Sequence, residues 1–495
     1  MPFLRFFLLL SLLFSFLPTG FAARRTEGKE VAEPVTGRPA VLRLTLRQAI
    51  QLAIEENLAI KVEAFGPSIA RTRTVEELGR FDPELQGAFE QGMTRTSLGG
   101  ERRFSSFELG VGGLTPLGTV YNFGLRTDAD DYNSFRSGLA LGITQPLLRG
   151  FGTDVNLAGL RIARVNQEGS EWAFRQQVIE VVTRTIYTYN ALYSAQRQLE
   201  AAIRSRDAAR QLEEDERRRA SIGVRIGLDV ISARAEASAR EEAVLLAQSQ
   251  INDQERFLKQ LITTETRALL DTHLEIAPPP TPMVGEVDLD AGLRDALELR
   301  PDFQQAILEL TIRDINIVTA RNETLPRLDL TASLNLLGFS RSDFHSSLNI
   351  FDAASSAPES WGAGLIFRLP IPNRAAKSRH ERTRLLKAQA LVELHRMEQG
   401  IIVEVANAAG HIETARQRVE TTREALRLAR ESLAAGNERL KAGTATAFEV
   451  LELQRKETEA EASLIKAEGD YRNAISEYDL RTGTTLVRNR VTIAR

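Results

Sequence analysis

Leu46-Arg47-Gln48-Ala49-Ile50-Gln51-Leu52-Ala53 returns 243 residues later (289 − 46) as Leu289-Asp290-Ala291-Gly292-Leu293-Arg294-Asp295-Ala296. The match continues without a gap from 46–85 to 289–328: Leu46 falls with Leu289, Ile50 with Leu293, Ala53 with Ala296, Pro83 with Pro326 and Leu85 with Leu328. A second register follows. Pro146 pairs with Pro370, Ala195 with Ala415, and Ile222-Gly223 through Asp229-Val230 with Ala442-Gly443 through Glu449-Val450. Each half reads as short helix, strands, long helix, sharp turn, long helix. A duplication of this size sets the architecture before any local motif does, and it argues against a chain organised around one catalytic pocket.

Within each half the hydrophobic period separates helix from strand. Thr45 is placed to cap a helix, with Gln48 three residues on as in a capping box, and the helix is predicted to run to about Arg80 with a break or kink at Gly66-Pro67. Proline is absent from 147 to 277 and from 373 to 495, stretches rich in Ala, Leu, Glu, Arg and Gln. Leu394, Met397, Ile401, Val405, Ala408 and Ile412 form a seam at helical spacing. The interruptions at 222–227 and 441–446 predict two hairpins, with arms near 153–221 and 228–262, and near 374–441 and 447–482. A 68-residue arm is about 100 Å long at 1.5 Å per residue, so these helices pack side by side rather than within one small globule.

Between the helices the period is two. Leu328, Leu330, Ala332, Leu334 and Leu336 alternate with polar residues; so do Ala363, Leu365, Phe367 and Leu369 with Gly362, Gly364, Ile366 and Arg368; Leu139, Leu141 and Ile143 behave alike. One-sided strands of this length suit a transmembrane barrel and also a half-buried soluble sheet. The stretch from Pro83 to Pro146 is 63 residues and that from Pro326 to Pro370 is 44, so the first half holds 19 more. Phe107–Leu114, the turn Thr115-Pro116-Leu117-Gly118 and Thr119–Arg126 fit one extra β-hairpin.

Composition bounds the compartment. Arg5, the apolar run Phe6–Leu17 and Thr19-Gly20-Phe21-Ala22-Ala23 read as a secretory signal, too short to span a bilayer. The signal at 1–23 and flanking long helices favour the barrel over the soluble sheet. Without cysteine the chain has no disulfide, thiolate metal site or acylated Cys. The net charge of −3 makes nucleic acid a poor partner. The expected organisation is signal 1–23, flexible leader 24–43, first repeat 44–262, a linker or equatorial segment 263–288, second repeat 289–482 and tail 483–495.

Leu44-Thr45-Leu46-Arg47-Gln48-Ala49-Ile50 with Asn57, the strand-to-helix joints Thr144-Gln145-Pro146-Leu147-Leu148 and Leu369-Pro370-Ile371, and the turn from Arg439 to Glu452 resemble the TolC-like outer-membrane efflux family. The likeness runs from Leu44 to about Leu486. It implies a mainly α fold with a β-barrel part: two tandem repeats of long helical hairpins forming a trimeric α-helical tunnel continuous with an outer-membrane β-barrel. In such proteins each protomer gives four strands to a shared wall of 12. The resemblance also implies a homotrimer in outer-membrane lipid, docked by a periplasmic adaptor and driven by an inner-membrane RND or ABC transporter, exporting small molecules or proteins. The 19 extra residues and the short tail depart from that pattern. The short tail leaves an equatorial belt to come mostly from 263–288.

The residues that carry function under this reading lie at the helix tips. Glu449 and Glu452, one turn apart, match the paired acids that narrow the tunnel's inner end; three copies would gather six carboxylates, favour cations and raise one another's pKa. Acids in a first helical turn also simply complement the helix dipole, and Asp229 in the first repeat shares that ambiguity. An Arg two residues after the tip Gly helps lock the closed tip in the family. Ala445 stands there in the second repeat and Arg225 in the first. Gly223, Gly227, Gly443 and Thr444 serve the reversals and the adaptor, and Pro146 and Pro370 mark the joints. His273, His345, His380, His395 and His411 show no metal-ligand spacing, and no cofactor loop or catalytic constellation is present. A periplasmic structural or adaptor-like coiled-coil protein is the alternative, but it would carry compact β domains around a single hairpin.

Overall fold

The computed structural model describes residues 41–95, 101–130, 135–221, 227–280, 287–340 and 359–492. In chain order these form β1 (Val41–Leu44), α1 (Leu46–Glu56), α2 (Leu58–Glu63), α3 (Phe65–Gly79), and strands β2 (Glu84–Arg95), β3 (Glu101–Leu114), β4 (Val120–Asp130) and β5 (Phe135–Pro146). A short α4 (Thr153–Asn156) leads into α5 (Ala158–Ser221), α6 (Gly227–Ile262) and β6 (His273–Ile276). The second half brings α7 (Leu289–Leu299), α8 (Pro301–Glu323), β7 (Arg327–Ser340), β8 (Glu359–Arg368), α9 (Arg374–Lys441), α10 (Ala447–Arg481) and α11 (Thr485–Arg488).

The duplication shows in the helix boundaries. Asn57 (φ −67°, ψ 125°) ends α1 and starts α2; Arg300 (φ −70°, ψ 120°) does the same between α7 and α8, and 300 − 57 is again 243. Thr45 and Gln48 form the expected capping box. The interruption expected at Gly66-Pro67 falls at Ala64, within the turn before Pro67, and a further break that was not expected lies at Asn57. Pro67 is the third residue of α3, and its missing N–H leaves no bond back to the carbonyl of Glu63, where α2 ends. The Asn57 side chain accepts from the Ala59 amide at 2.9 Å and donates to the Leu261 carbonyl at 3.0 Å, so it stops one helix, caps the next and pins both to α6.

Val41–Leu44, mostly assigned to the leader from sequence, is a strand. It pairs in parallel with β6, Val41 opposite His273 and Leu44 opposite Ile276, and Arg43 Nε donates to Glu275 at 2.7 Å. The segment after 263 thus shares one small sheet with residues 41–44. This two-stranded sheet lies over the main core, where Val178, Ile179, Val182, Ile186 and Leu192 of α5 meet Ile251 and Leu258 of α6, Ala49 and Ala53 of α1, and Leu486 of the tail. Tyr189, fully buried, donates from its hydroxyl to the carbonyls of Leu44 (3.0 Å) and Ala277 (2.7 Å). Each large side chain buried this way contributes about 1.5–3 kcal/mol.

The two hairpins form with the expected arms. The seam Ile401, Val405, Ala408 and Ile412 is buried against Ala296, Tyr471, Ile475 and Tyr478, with Met397 partly buried at its end. The α10 arm also packs along α5, which joins the two hairpins.

The strands form one six-stranded antiparallel sheet in the order β2-β3-β4-β5-β7-β8. The extra hairpin is present. Gly118, at φ 91°, donates to the Thr115 carbonyl at 2.8 Å and closes the turn, and its two arms are the interior strands β3 and β4. Among the described residues β2 and β8 are edges, and the sheet of one chain is open.

Candidate functional site

The second helix tip is built by a Schellman turn. Gly443 sits at φ 75°, its amide donates to the Leu440 carbonyl at 3.2 Å, and the Thr444 amide donates to that of Arg439 at 2.9 Å. Thr446 then caps α10 by accepting from the Glu449 amide at 3.2 Å. Leu440, Ala445, Val450 and Leu451 close a small core under the turn, joined by Leu212 of α5. Ala445, at the lock position, is therefore packed inward.

The basic group at this tip comes from the arm before it. An Arg439 guanidinium nitrogen lies 3.7 Å from a Glu449 carboxylate oxygen and donates to the Thr444 carbonyl at 3.3 Å. Glu452 is gripped by Arg455, whose Nε lies 3.0 Å from Oε2. That hydrogen bond holds the Glu452 carboxyl below the ordinary range. Within one chain each acid of the pair thus has its own arginine, and both remain open to solvent. Gly223 and Arg225 lie outside the described residues; Gly227 and Asp229 stand in the first turn of α6.

The strand-to-helix joints lie against the end of α8. Pro146 is the last residue of β5; beyond it Leu147 donates to the Leu328 carbonyl at 2.7 Å, and the Gly150 amide donates to Asn322 Oδ1 at 2.8 Å. Asn156 Nδ2 donates to the carbonyls of Gly150 (2.8 Å) and Gly152 (2.9 Å). After Pro370, Asn373 at φ 57° donates from its side chain to the Thr324 carbonyl at 3.0 Å. Asn322, Asn156 and Asn373 were not singled out from the sequence. Asn156, just after Gly150-Phe151-Gly152, carried a local signal, since asparagine bonds nearby backbone; Asn322 and Asn373 meet partners 172 and 49 residues away and carried none.

The sheet has two unlike faces. Paired residues share a face, so the row Leu85, Val111, Phe123, Leu141, Leu334 and Trp361 crosses all six strands on one side. Leu109, Leu125, Leu139 and Leu336 make a second row on the same side. The opposite side carries Glu84, Gly112, Asn122, Gly142, Ser333 and Gly362 in one row and Glu108 and Arg126 in another. An apolar band on one face and polar or small residues on the other is the pattern of a wall between lipid and water.

A charged network lies within the second half, joining the start of α8 to α9 and α10. Arg300 is bonded to Asp302 (2.7 Å), to Glu404 (2.8 Å) and to the Arg481 carbonyl (3.4 Å). Asp479 is buried beside Arg488 at 3.0 Å; burial pushes its carboxyl up to about 6 against the pull of Arg488 and Thr484. Among the described residues no helix is long and apolar enough to cross a membrane.

The model of the outer membrane efflux protein family matches residues 49–264 and 292–480, most of both repeats. The chain belongs to the outer membrane efflux protein family. Its fold is similar to that of the CmeC outer membrane channel of Campylobacter jejuni (17% identity, 89% of this chain and 86% of that one, TM-score 0.67). It is similar also to the outer membrane protein VceC of Vibrio cholerae (15%, 88% and 96%, 0.65) and to the open state of the MtrE outer membrane channel of Neisseria gonorrhoeae (18%, 89% and 89%, 0.64). No curated protein matches it in sequence. The family is one of channels rather than enzymes.

Proposed function

We propose that the protein is a homotrimeric duct of the outer membrane, through which a tripartite efflux system or a type I secretion system discharges small molecules or proteins. The observation that supports this best is the one-sided sheet set at the end of two hairpins about 100 Å long. Its apolar face suits lipid, and its polar face suits a water-filled bore. Leu385, Val392 and Val403 are each more than half exposed on α9, at steps of 7 and 11 residues (392 − 385, 403 − 392), a single stripe. Ile231, Leu245 and Phe257 are equally bare on α6. Neighbouring copies would cover these stripes, and the free edges of β2 and β8 would pair between copies instead of ending in lipid.

In this reading Gly443 and Thr444, with Gly223 and Gly227, form the tips that meet a periplasmic adaptor. Glu449, Glu452 and Asp229 would line the narrow inner end, Arg439 and Arg225 supplying the opposing charge. The energy would come from an inner-membrane RND or ABC transporter, and the duct itself would need no cofactor. Purified protein in planar bilayers tests the proposal. Discrete, cation-favouring conductance steps are expected. Protein that fractionates away from the outer membrane and leaves the bilayer tight would refute it.

A further inference from the structure

We infer that the wall formed by three copies has 18 strands, six from each, and a bore half as wide again as a 12-stranded one. The inference rests on the duct reading and adds the size of the passage to it. β4 is bonded on both sides, to β3 from Phe104 opposite Asp130 to Leu114 opposite Val120, and to β5 from Val120 opposite Thr144 to Ala129 opposite Phe135. To set the extra hairpin outside the wall, β2 would have to leave β3 and find β5, at the loss of two ladders. The apolar row from Leu85 to Trp361 passes through Val111 and Phe123 of that hairpin without a break. At its turn the hairpin is anchored to the joint, where the Gly152 amide donates to the Leu117 carbonyl at 3.2 Å.

The two edges fit each other in a second copy. Six alternating strands leave β2 and β8 running in opposite directions, so β8 of one copy beside β2 of the next continues an antiparallel sheet. Leu85, Phe89 and Met93 on β2 and Trp361, Leu365 and Phe367 on β8 are all more than half exposed, and they lie on the same face. At about 4.8 Å between strands and a tilt of about 40°, 18 strands enclose a backbone diameter of about 36 Å, against about 24 Å for 12. Little fills that bore at one level, because Gly112, Asn122, Gly142, Ser333 and Gly362 follow one another around the polar face. Glu84 completes that row, so three copies set three carboxylates among small side chains, and such a ring passes bulky molecules while favouring neutral or cationic ones.

The chain has no native cysteine, so single spin labels test this in the full-length protein in lipid. Leu109→Cys and Phe123→Cys probe the hairpin's apolar face, Ser106→Cys and Asn122→Cys its other face, and Leu141→Cys and Leu334→Cys serve as controls on β5 and β7. Val111→Cys and Leu125→Cys replace the first pair if either fails to assemble. Expected is an oxygen-to-nickel-chelate accessibility ratio at 109 and 123 within about twofold of the controls, reversed at 106 and 122. Lipid-exposed controls with a hairpin open to the chelate on both faces would overturn the 18-stranded wall and leave the duct standing. Controls open to the chelate as well would overturn both.

Discussion

Asp479→Asn is expected to stabilise the helical body at pH 8 and to change it little at pH 4. The carboxyl is 4% exposed, and its pKa of about 6 stands above the ordinary 3.8 because burial disfavours its charge more than Arg488, 3.0 Å away, favours it. The folded form therefore holds the proton more tightly than the unfolded chain. Stability from this group is full below the unfolded pKa and is lost as pH rises through the window from 3.8 to about 6. A gap of about two units at 1.36 kcal/mol each is about 3 kcal/mol per chain at pH 8, and about 1 kcal/mol or less remains at pH 4. The amide mimics the protonated acid, so the variant escapes that loss, while Arg488, half exposed, stays hydrated. Urea unfolding followed by helical circular dichroism at the two pH values measures the difference. A variant less stable than the parent at pH 8, or shifted equally at both, would show that the Arg488 pair outweighs the burial cost.

Other expectations follow from single positions. Gly443→Ala forces a side chain to φ 75° with open space around it, so its cost is conformational, roughly 1 kcal/mol in the unfolding midpoint, and Gly443→Asn costs less. Ile401→Ala empties a site only 1% exposed and is expected to cost about 2–4 kcal/mol in the same assay. Glu449→Gln with Glu452→Gln is expected to move the bilayer reversal potential toward anions and to weaken block by multivalent cations. Unchanged selectivity would leave these acids serving the helix dipole alone.

The long-range plan was legible because repetition and period carry it. The offset of 243 that aligns Leu46 with Leu289 also aligns Asn57 with Arg300, although the two residues share no chemistry. The strand pattern and the Thr115–Gly118 turn were readable for the same reason. Other features are set by partners far apart in sequence. β1 and β6 are four residues each, too short to show a period, and Arg43 meets Glu275 across 232 residues. Gly66-Pro67 marked the interruption at Ala64, but the break at Asn57 was not visible in advance, because Asn57 is held by the Leu261 carbonyl 204 residues away. Arg439 was missed at the tip because it precedes the turn, and only the folded hairpin brings it to Glu449. The joints were located by Pro146 and Pro370, but the asparagines that hold them act through backbone at the end of α8.

Electron cryomicroscopy of the full chain extracted in mild detergent bears most directly on the duct. The expected result is a threefold particle in which the long helices enclose a continuous water-filled bore, joined to a closed β wall. A monomer with an open sheet, or three hairpin pairs packed into a solid bundle, would contradict it.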